Sequence, residues 1–297
     1  METEIPKHTG TELPVVTAAV RPLPKVTAKE AVPWLLTLVI IAGELFVTLF
    51  NALTGMVIDV FLLITLLVLA GVIWQRESMS AADINETAGE IMIRSTPGYR
   101  FYIALSLAPI IRILSVAIPM WNLPVIYWYV VTGAPLLLTS YVIIRVAGYR
   151  REDVCLRPGR LREQAGMGLI GVPLGWIEYQ ILRPASLLPG ADVKMLVLGA
   201  AIMIVFTGLV EEVIFRGIML KAADDYLGKT HSLIYVCFIF AILHIIHNSS
   251  LDVAFVFGVG LLFCFLVRRT GSLLGVTLAH GVTNVMLYLI WPLVLLH

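Results

Sequence analysis

The sequence predicts an all-α, polytopic bundle of about eight or nine membrane-spanning helices, and three observations carry that prediction. Of 297 residues, 59% are hydrophobic and only 14% are charged, whereas soluble domains carry about a quarter charged residues. Mean hydropathy is +0.92. Apolar runs close to the ~20 residues needed to cross a ~30 Å hydrocarbon core recur along the chain. A formal net charge of +1, with no basic run interleaved with aromatics, gives no sign of a nucleic-acid partner, and none is expected. Cys155, Cys237 and Cys264 lack metal or redox spacing, and two of them lie in apolar runs as small packing residues.

Taken in order, the chain opens on a polar stretch bearing Pro6, Pro14, Pro22 and Pro24, without the apolar core and cleavage site of a secretory signal. Residues 1–31 therefore read as a disordered cytoplasmic leader. Candidate spans follow near 33–51, 56–74, 101–120, 124–145, 165–182, 195–219, 232–248, 252–267 and 273–296. Gly166, Gly168, Gly171, Pro173 and Gly175 interrupt the fifth, which either crosses or is re-entrant. Four spans and a basic loop make up an N-terminal region, 32–162, ahead of a second unit at 163–297.

Lys and Arg test the orientation. They gather before the first span (Lys7, Arg21, Lys25, Lys29), between the second and third (Arg76, Arg94, Arg100) and after the fourth (Arg150, Arg151, Arg157, Arg160, Arg162). They return as Lys221 with Lys229 and as Arg268 with Arg269, while the intervening turns carry few or none; Arg183 and Lys194 break the pattern mildly. With nine crossings the basic connections fall on one side. This predicts a multi-pass protein of the cell membrane with a cytoplasmic N-terminus and an outside C-terminus.

Several charges fall at bilayer depth, where each costs several kcal/mol and marks either a buried pair or a site. Glu44, Asp59 and Arg112 lie in the first half. Glu44 and Arg112 both sit about 11 residues, roughly 16 Å, from the cytoplasmic face, which predicts a mutually neutralising structural pair. Glu178, in Trp176-Ile-Glu-Tyr-Gln180, is ambiguous between a structural and a functional role; an interfacial position among aromatics would make it cheap. The densest concentration is Gly208-Leu-Val-Glu-Glu-Val-Ile-Phe-Arg-Gly217.

Helical spacing separates the roles within that stretch. Glu212 and Arg216 are i, i+4 neighbours able to form an ion pair. Glu211 points about 100° away from Glu212 and is free to face a cavity. Two later helices add Phe240-Ala-Ile-Leu-His244, with His247 one turn on, and His280-Gly-Val-Thr-Asn284. His280 and Asn284 share a face. Counted from the cytoplasmic ends, Glu211, His244 and His280 sit roughly 10–18 Å deep, which predicts one polar cavity opening to the cytoplasm.

A carboxylate and an imidazole together can deprotonate water, and a His–Asn pair can donate hydrogen bonds to an oxyanion. Those are the parts of a peptide-bond hydrolase that uses water as its nucleophile. Glu211, His244 and His280 are also candidate ligands of a divalent metal such as zinc, which lowers the pKa of bound water. His247 reads as a packing residue or a further ligand, and Phe240 as a core residue. His8, His231 and His297 carry no role.

These motifs resemble those of the CPBP (ABI) intramembrane proteases, the type II CAAX prenyl endopeptidase group. Glu211-Glu-Val-Ile-Phe-Arg216 matches the family's Glu-Glu-x-x-x-Arg motif. Phe240-x-x-x-His244 and His280-x-x-x-Asn284 match its second and third motifs in order, and Arg269-Thr-Gly-Ser-Leu-Leu-Gly275 is also family-like. The resemblance covers roughly 160–297. It implies that Glu211 activates water with His244, that His280 and Asn284 stabilise the oxyanion, and that Glu212, Arg216 and Phe240 support the site. It further implies a membrane-embedded, prenylated or otherwise lipidated peptide substrate, cleaved near the cytoplasmic face, by a metal-dependent or metal-free mechanism. The family core is usually counted at eight spans or fewer, so nine is a departure. The rival reading is a non-catalytic immunity factor or peptide-binding scaffold using the same cavity. A transporter would also place charges at depth, but no inverted repeat supports one.

Overall fold

In the computed structural model, residues 28–82, 96–118 and 122–295 are described; the leader up to residue 27, with Arg94 and His297, lies outside them. Within the described residues the chain is helical, without strands. Among the described residues, eight helices are long and apolar enough to cross a membrane: Ala31–Phe50 (α1), Ala52–Arg76 (α2), Pro97–Ala117 (α3), Val125–Val146 (α4), Val193–Leu227, Lys229–His247, Ser250–Thr270 and Leu274–Leu295.

The expected fifth span is instead a pair of short helices, Leu161–Gly168 (α5) and Gly171–Leu182 (α6). The remaining long helices are α7 (Val193–Leu227), α8 (Lys229–His247), α9 (Ser250–Thr270) and α10 (Leu274–Leu295). The α5–α6 pair nevertheless runs the depth of the bundle. Gln164 Oε1 accepts from the Gly275 amide at 2.6 Å, Gly168 lies against Leu278, and Gly171 against Ala279 and Val282. Gly175 follows against Thr283 and Met286, and the Leu187 amide donates to the Tyr288 carbonyl at 3.1 Å. The contacts advance together along both segments, so α5–α6 descends parallel to α10. The glycines that break the helix are the ones that admit α10 at close range.

This parallel descent sorts the helix ends onto two faces. On one face, Arg100 donates to the Ala147 carbonyl (2.9 Å), Arg157 to Gly271 (2.7 Å) and Arg268 to Asp224 (2.6 Å). The Arg150–Arg162 loop, Lys221, Lys229 and Arg269 share this face by chain position. The opposite face carries the 122–124, 183–192 and 248–250 connections, with Arg183 and Lys194. The alternation expected from the sequence therefore appears as a basic face and a nearly non-basic one.

Large apolar side chains such as Leu35, Leu53, Phe61, Leu138, Val197 and Phe265 point outward, as a lipid-facing surface requires. With lipid outside, little hydrophobic effect draws the helices together, so close packing and buried polar contacts must hold them. Small residues let α7 approach α10. A methyl group at Gly208 would lie 2.7 Å from the Thr277 carbonyl oxygen and 2.9 Å from the Gly281 nitrogen. Gly208→Ala should therefore lower stability by about 1–3 kcal/mol through overpacking. Gly71→Ala, with open space at its Cβ, should cost nothing. Thermal unfolding of the two variants in detergent checks this.

Candidate active site

Helix α7 spans 35 residues, roughly 50 Å at 1.5 Å per residue, and Glu211 and Glu212 lie near its middle. Around them the helix widens into π-helical turns at Ile204–Leu209 and Val213–Met219. Such turns are rare and occur often at functional sites.

Glu212 is wholly buried and accepts from Arg216 Nη1 at 3.0 Å. The same oxygen lies 2.8 Å from His280 Nδ1. Arg216 is held on its other side by aromatic faces, with its guanidinium carbon 4.1 Å from the Phe240 ring centroid and 5.6 Å from that of Phe263. The expected ion pair is thus present, and Phe240 supports the site by covering its arginine.

Glu211 keeps 30% of its side chain accessible, against 0% for Glu212. Of the two carboxylates, only Glu211 can meet water. His280 Nε2 lies 3.7 Å from Glu211 Oε2, so this imidazole stands between the two carboxylates. The His244 Nδ1–H donates to the Phe240 carbonyl at 2.8 Å, which leaves Nε2 to the cavity. Asn284 Nδ2 donates to Thr207 Oγ1 at 2.8 Å, and Thr207 in turn donates to the Met203 carbonyl.

Glu211, His244, His280 and Asn284 all line one cavity of about 120 Å³, with Thr207, Phe240 and Phe263. A second space of about 250 Å³, walled by Leu136, Phe206, Ile214 and Ile246, shares Glu211 and His244 with it. A single water needs on the order of 10–15 Å³, so both spaces admit water. The second also offers an apolar wall next to the carboxylate. All four catalytic candidates from the sequence therefore meet at one place, and Glu212, Arg216 and Phe240 pack behind them.

One expectation changes. The cavity does not lie toward the basic ends of its helices. It is also lined by Tyr129 near the start of α4, Glu178 near the end of α6, His247 at the end of α8, and Tyr288 late in α10. These ends belong to the opposite face. The depth count failed because α7 continues to Leu227, beyond its expected end at 219, and because His244 sits in the last turn of α8. Glu178, ambiguous in the sequence, is buried and reaches the cavity.

Sequence reasoning also passed over two groups. Thr207 stands one turn before Glu211, an i, i+4 relation visible in the sequence. His247 pairs through Nδ1 with the buried Asp252 at 2.8 Å. Asp252 lies beyond a turn, where helical spacing gives no signal. Among the described residues, no group of three or more His, Cys, Asp or Glu side chains is gathered to hold a metal ion.

Residues 193–286 match the family model described as type II CAAX prenyl endopeptidase, Rce1-like. The matched stretch contains the Glu-Glu-x-x-x-Arg helix, the Phe-x-x-x-His helix and the His-x-x-x-Asn helix that wall the cavity. The similarity to that family of endopeptidases extends over this stretch, about a third of the chain. Comparison with curated proteins gives no match, and comparison with solved structures gives none.

Removing one partner of a buried ion pair leaves an uncompensated charge and costs about 3–5 kcal/mol. Arg216→Met should lose stability on that scale, because Glu212 keeps only His280. Arg216→Lys should lose less. Chemical or thermal unfolding in a fixed detergent measures both.

Proposed function

We propose that the protein is an intramembrane endopeptidase that hydrolyses a peptide bond with water activated at Glu211. The observation that supports this best is the meeting of an accessible carboxylate, two imidazoles and an amide, from three helices, around a cavity within the bundle that admits water. Water attacks the carbonyl carbon and passes a proton to Glu211, while His244 Nε2 accepts a hydrogen bond that orients it. The carbonyl oxygen becomes an oxyanion and accepts from the Asn284 amide and from His280 Nε2 in its protonated form. The carbon–nitrogen bond then breaks, and Glu211 returns the proton to the leaving amine. Glu212 fixes the ring of His280 through Nδ1, so the arginine-braced carboxylate acts as an orienting group.

The substrate class this reading favours is a membrane-associated peptide, lipidated or prenylated as the family suggests. The apolar wall beside Glu211 suits its side chains. A divalent ion such as zinc, if resident, would draw on Glu211, His244 and His280 and acidify bound water. His280 already engages Glu212, so the steps above use the chain's own residues.

Glu211→Gln should abolish cleavage of a prenylated reporter peptide while the protein still folds and inserts. Asn284→Ala should lower kcat by about 100-fold. Cleavage by Glu211→Gln at the wild-type rate would refute the assignment and leave the non-catalytic scaffold standing. Metal analysis of the same active preparation decides the zinc version: one ion per chain, lost in His244→Ala, supports it, and metal-free activity removes it.

The orientation belongs to the same proposal. Cytoplasmic connections are rich in Lys and Arg, which puts the basic face and the N-terminus in the cytoplasm and the cavity in the outer half of the bilayer. A membrane-impermeant maleimide applied to intact cells should then label Ser250→Cys and not Arg160→Cys. The reverse pattern overturns the orientation.

A further inference from the structure

Arg112, on α3, lies outside the family match and is almost fully buried. It forms a two-point ion pair with Glu44 of α1, with Nε–Oε1 at 2.8 Å and Nη2–Oε2 at 2.5 Å. Mutual neutralisation would be the whole account if the guanidinium stopped there. It does not. Arg112 Nη2 also donates to the backbone carbonyl of Leu243 at 2.8 Å.

Leu243 is the residue before His244, at the point where α8 tightens into the 3₁₀ turn Leu243–His247. A backbone carbonyl has two lone pairs and can take a donor from outside its own helix. Here that donor comes from a different part of the chain. A charge-assisted hydrogen bond is roughly twice as strong as a neutral one and is specific in direction. It holds the backbone next to the ring that faces Glu211, while His244 Nδ1 is held separately by the Phe240 carbonyl. Arg112 also lines the cavity shared with Glu211 and His244.

We infer that the Glu44–Arg112 pair is a positioning device for the site: it fixes the turn that carries His244, and so couples the N-terminal helices to hydrolysis. The inference rests on the role given to His244 above. Arg112 is a positioning residue, and nothing in its geometry requires it to touch substrate.

A double variant separates positioning from neutralisation. Replacing a buried ion pair by apolar residues of similar volume is often neutral or stabilising. Glu44→Leu with Arg112→Met therefore removes both charges together and takes the guanidinium donor from the Leu243 carbonyl, while Ser115 loses a 3.4 Å contact and keeps its bond to the carbonyl of residue 112. The expected result is a thermal midpoint at or above wild type, kcat reduced at least tenfold with KM little changed, and faster hydrogen–deuterium exchange over 240–248 but not over α10. Arg112→Lys, which keeps the charge and one donor, should recover part of kcat.

Wild-type kcat or unchanged exchange over 240–248 in the double variant overturns the inference. The exchange readout needs no activity. If Glu211→Gln shows that cleavage does not depend on Glu211, the functional reading fails, while exchange still decides whether the pair holds the turn. Should the double variant fail to fold, Arg112→Lys, which keeps the buried charge beside Glu44, serves with the same two readouts. Reduced kcat with faster exchange over 240–248 supports the inference, and wild-type values of both overturn it.

Discussion

Everything at the site depends on one carboxylate that water does not reach. Glu212 is wholly buried, and a single oxygen of it meets both Arg216 and His280. An isolated charge would not be stable at such depth; the arginine supplies the counter-charge, and the Phe240 and Phe263 faces cover the arginine. With Glu212 neutralised inside α7, its second function becomes available, which is to hold the imidazole of α10 by Nδ1. The adjacent carboxylate, Glu211, is then left alone with the cavity. Two neighbours of identical chemistry are separated by burial into a group that holds His280 and a group that meets the cavity.

That division needs α7 and α10 in near contact, and the lipid surroundings do little to bring them there. Glycines supply the approach. Gly208 and Gly281 let the two backbones meet, and Gly171 and Gly175 let α6 close on α10 from the other side. The same residues that make the fifth segment a poor helix in the sequence make it a good packing partner. Its break into α5 and α6 is the local cost of that fit, and it still carries the chain from one face to the other.

Much of this was legible in the sequence because helical spacing is a local rule. The i, i+4 relation of Glu212 to Arg216, the freedom of Glu211, and the shared face of His280 and Asn284 follow from 100° per residue, and the geometry agrees with each. The pairing of Glu44 with Arg112 was legible from depth alone. What spacing cannot report is contact between elements. The hold of Glu212 on His280, the bond from Arg112 to Leu243, the Asp252 behind His247 and the entry of Glu178 into the cavity all join separate helices or cross a turn. Depth was misjudged for a related reason: it was counted from helix ends that the sequence does not mark, and α7 runs on through Lys221 and Asp225 to Leu227.

The central claim is that Glu211, His280 and Asn284 face one reacting carbonyl, with Glu212 behind. The most direct measurement is an experimental structure with a peptide that carries a tetrahedral hydroxyl in place of the scissile carbonyl. The account predicts one oxygen of that centre near the Asn284 amide and His280 Nε2, with Glu211 and His244 on its other side and His280 Nδ1 still on Glu212. An analogue seated away from Glu211, or His280 swung off Glu212 in the complex, would contradict it.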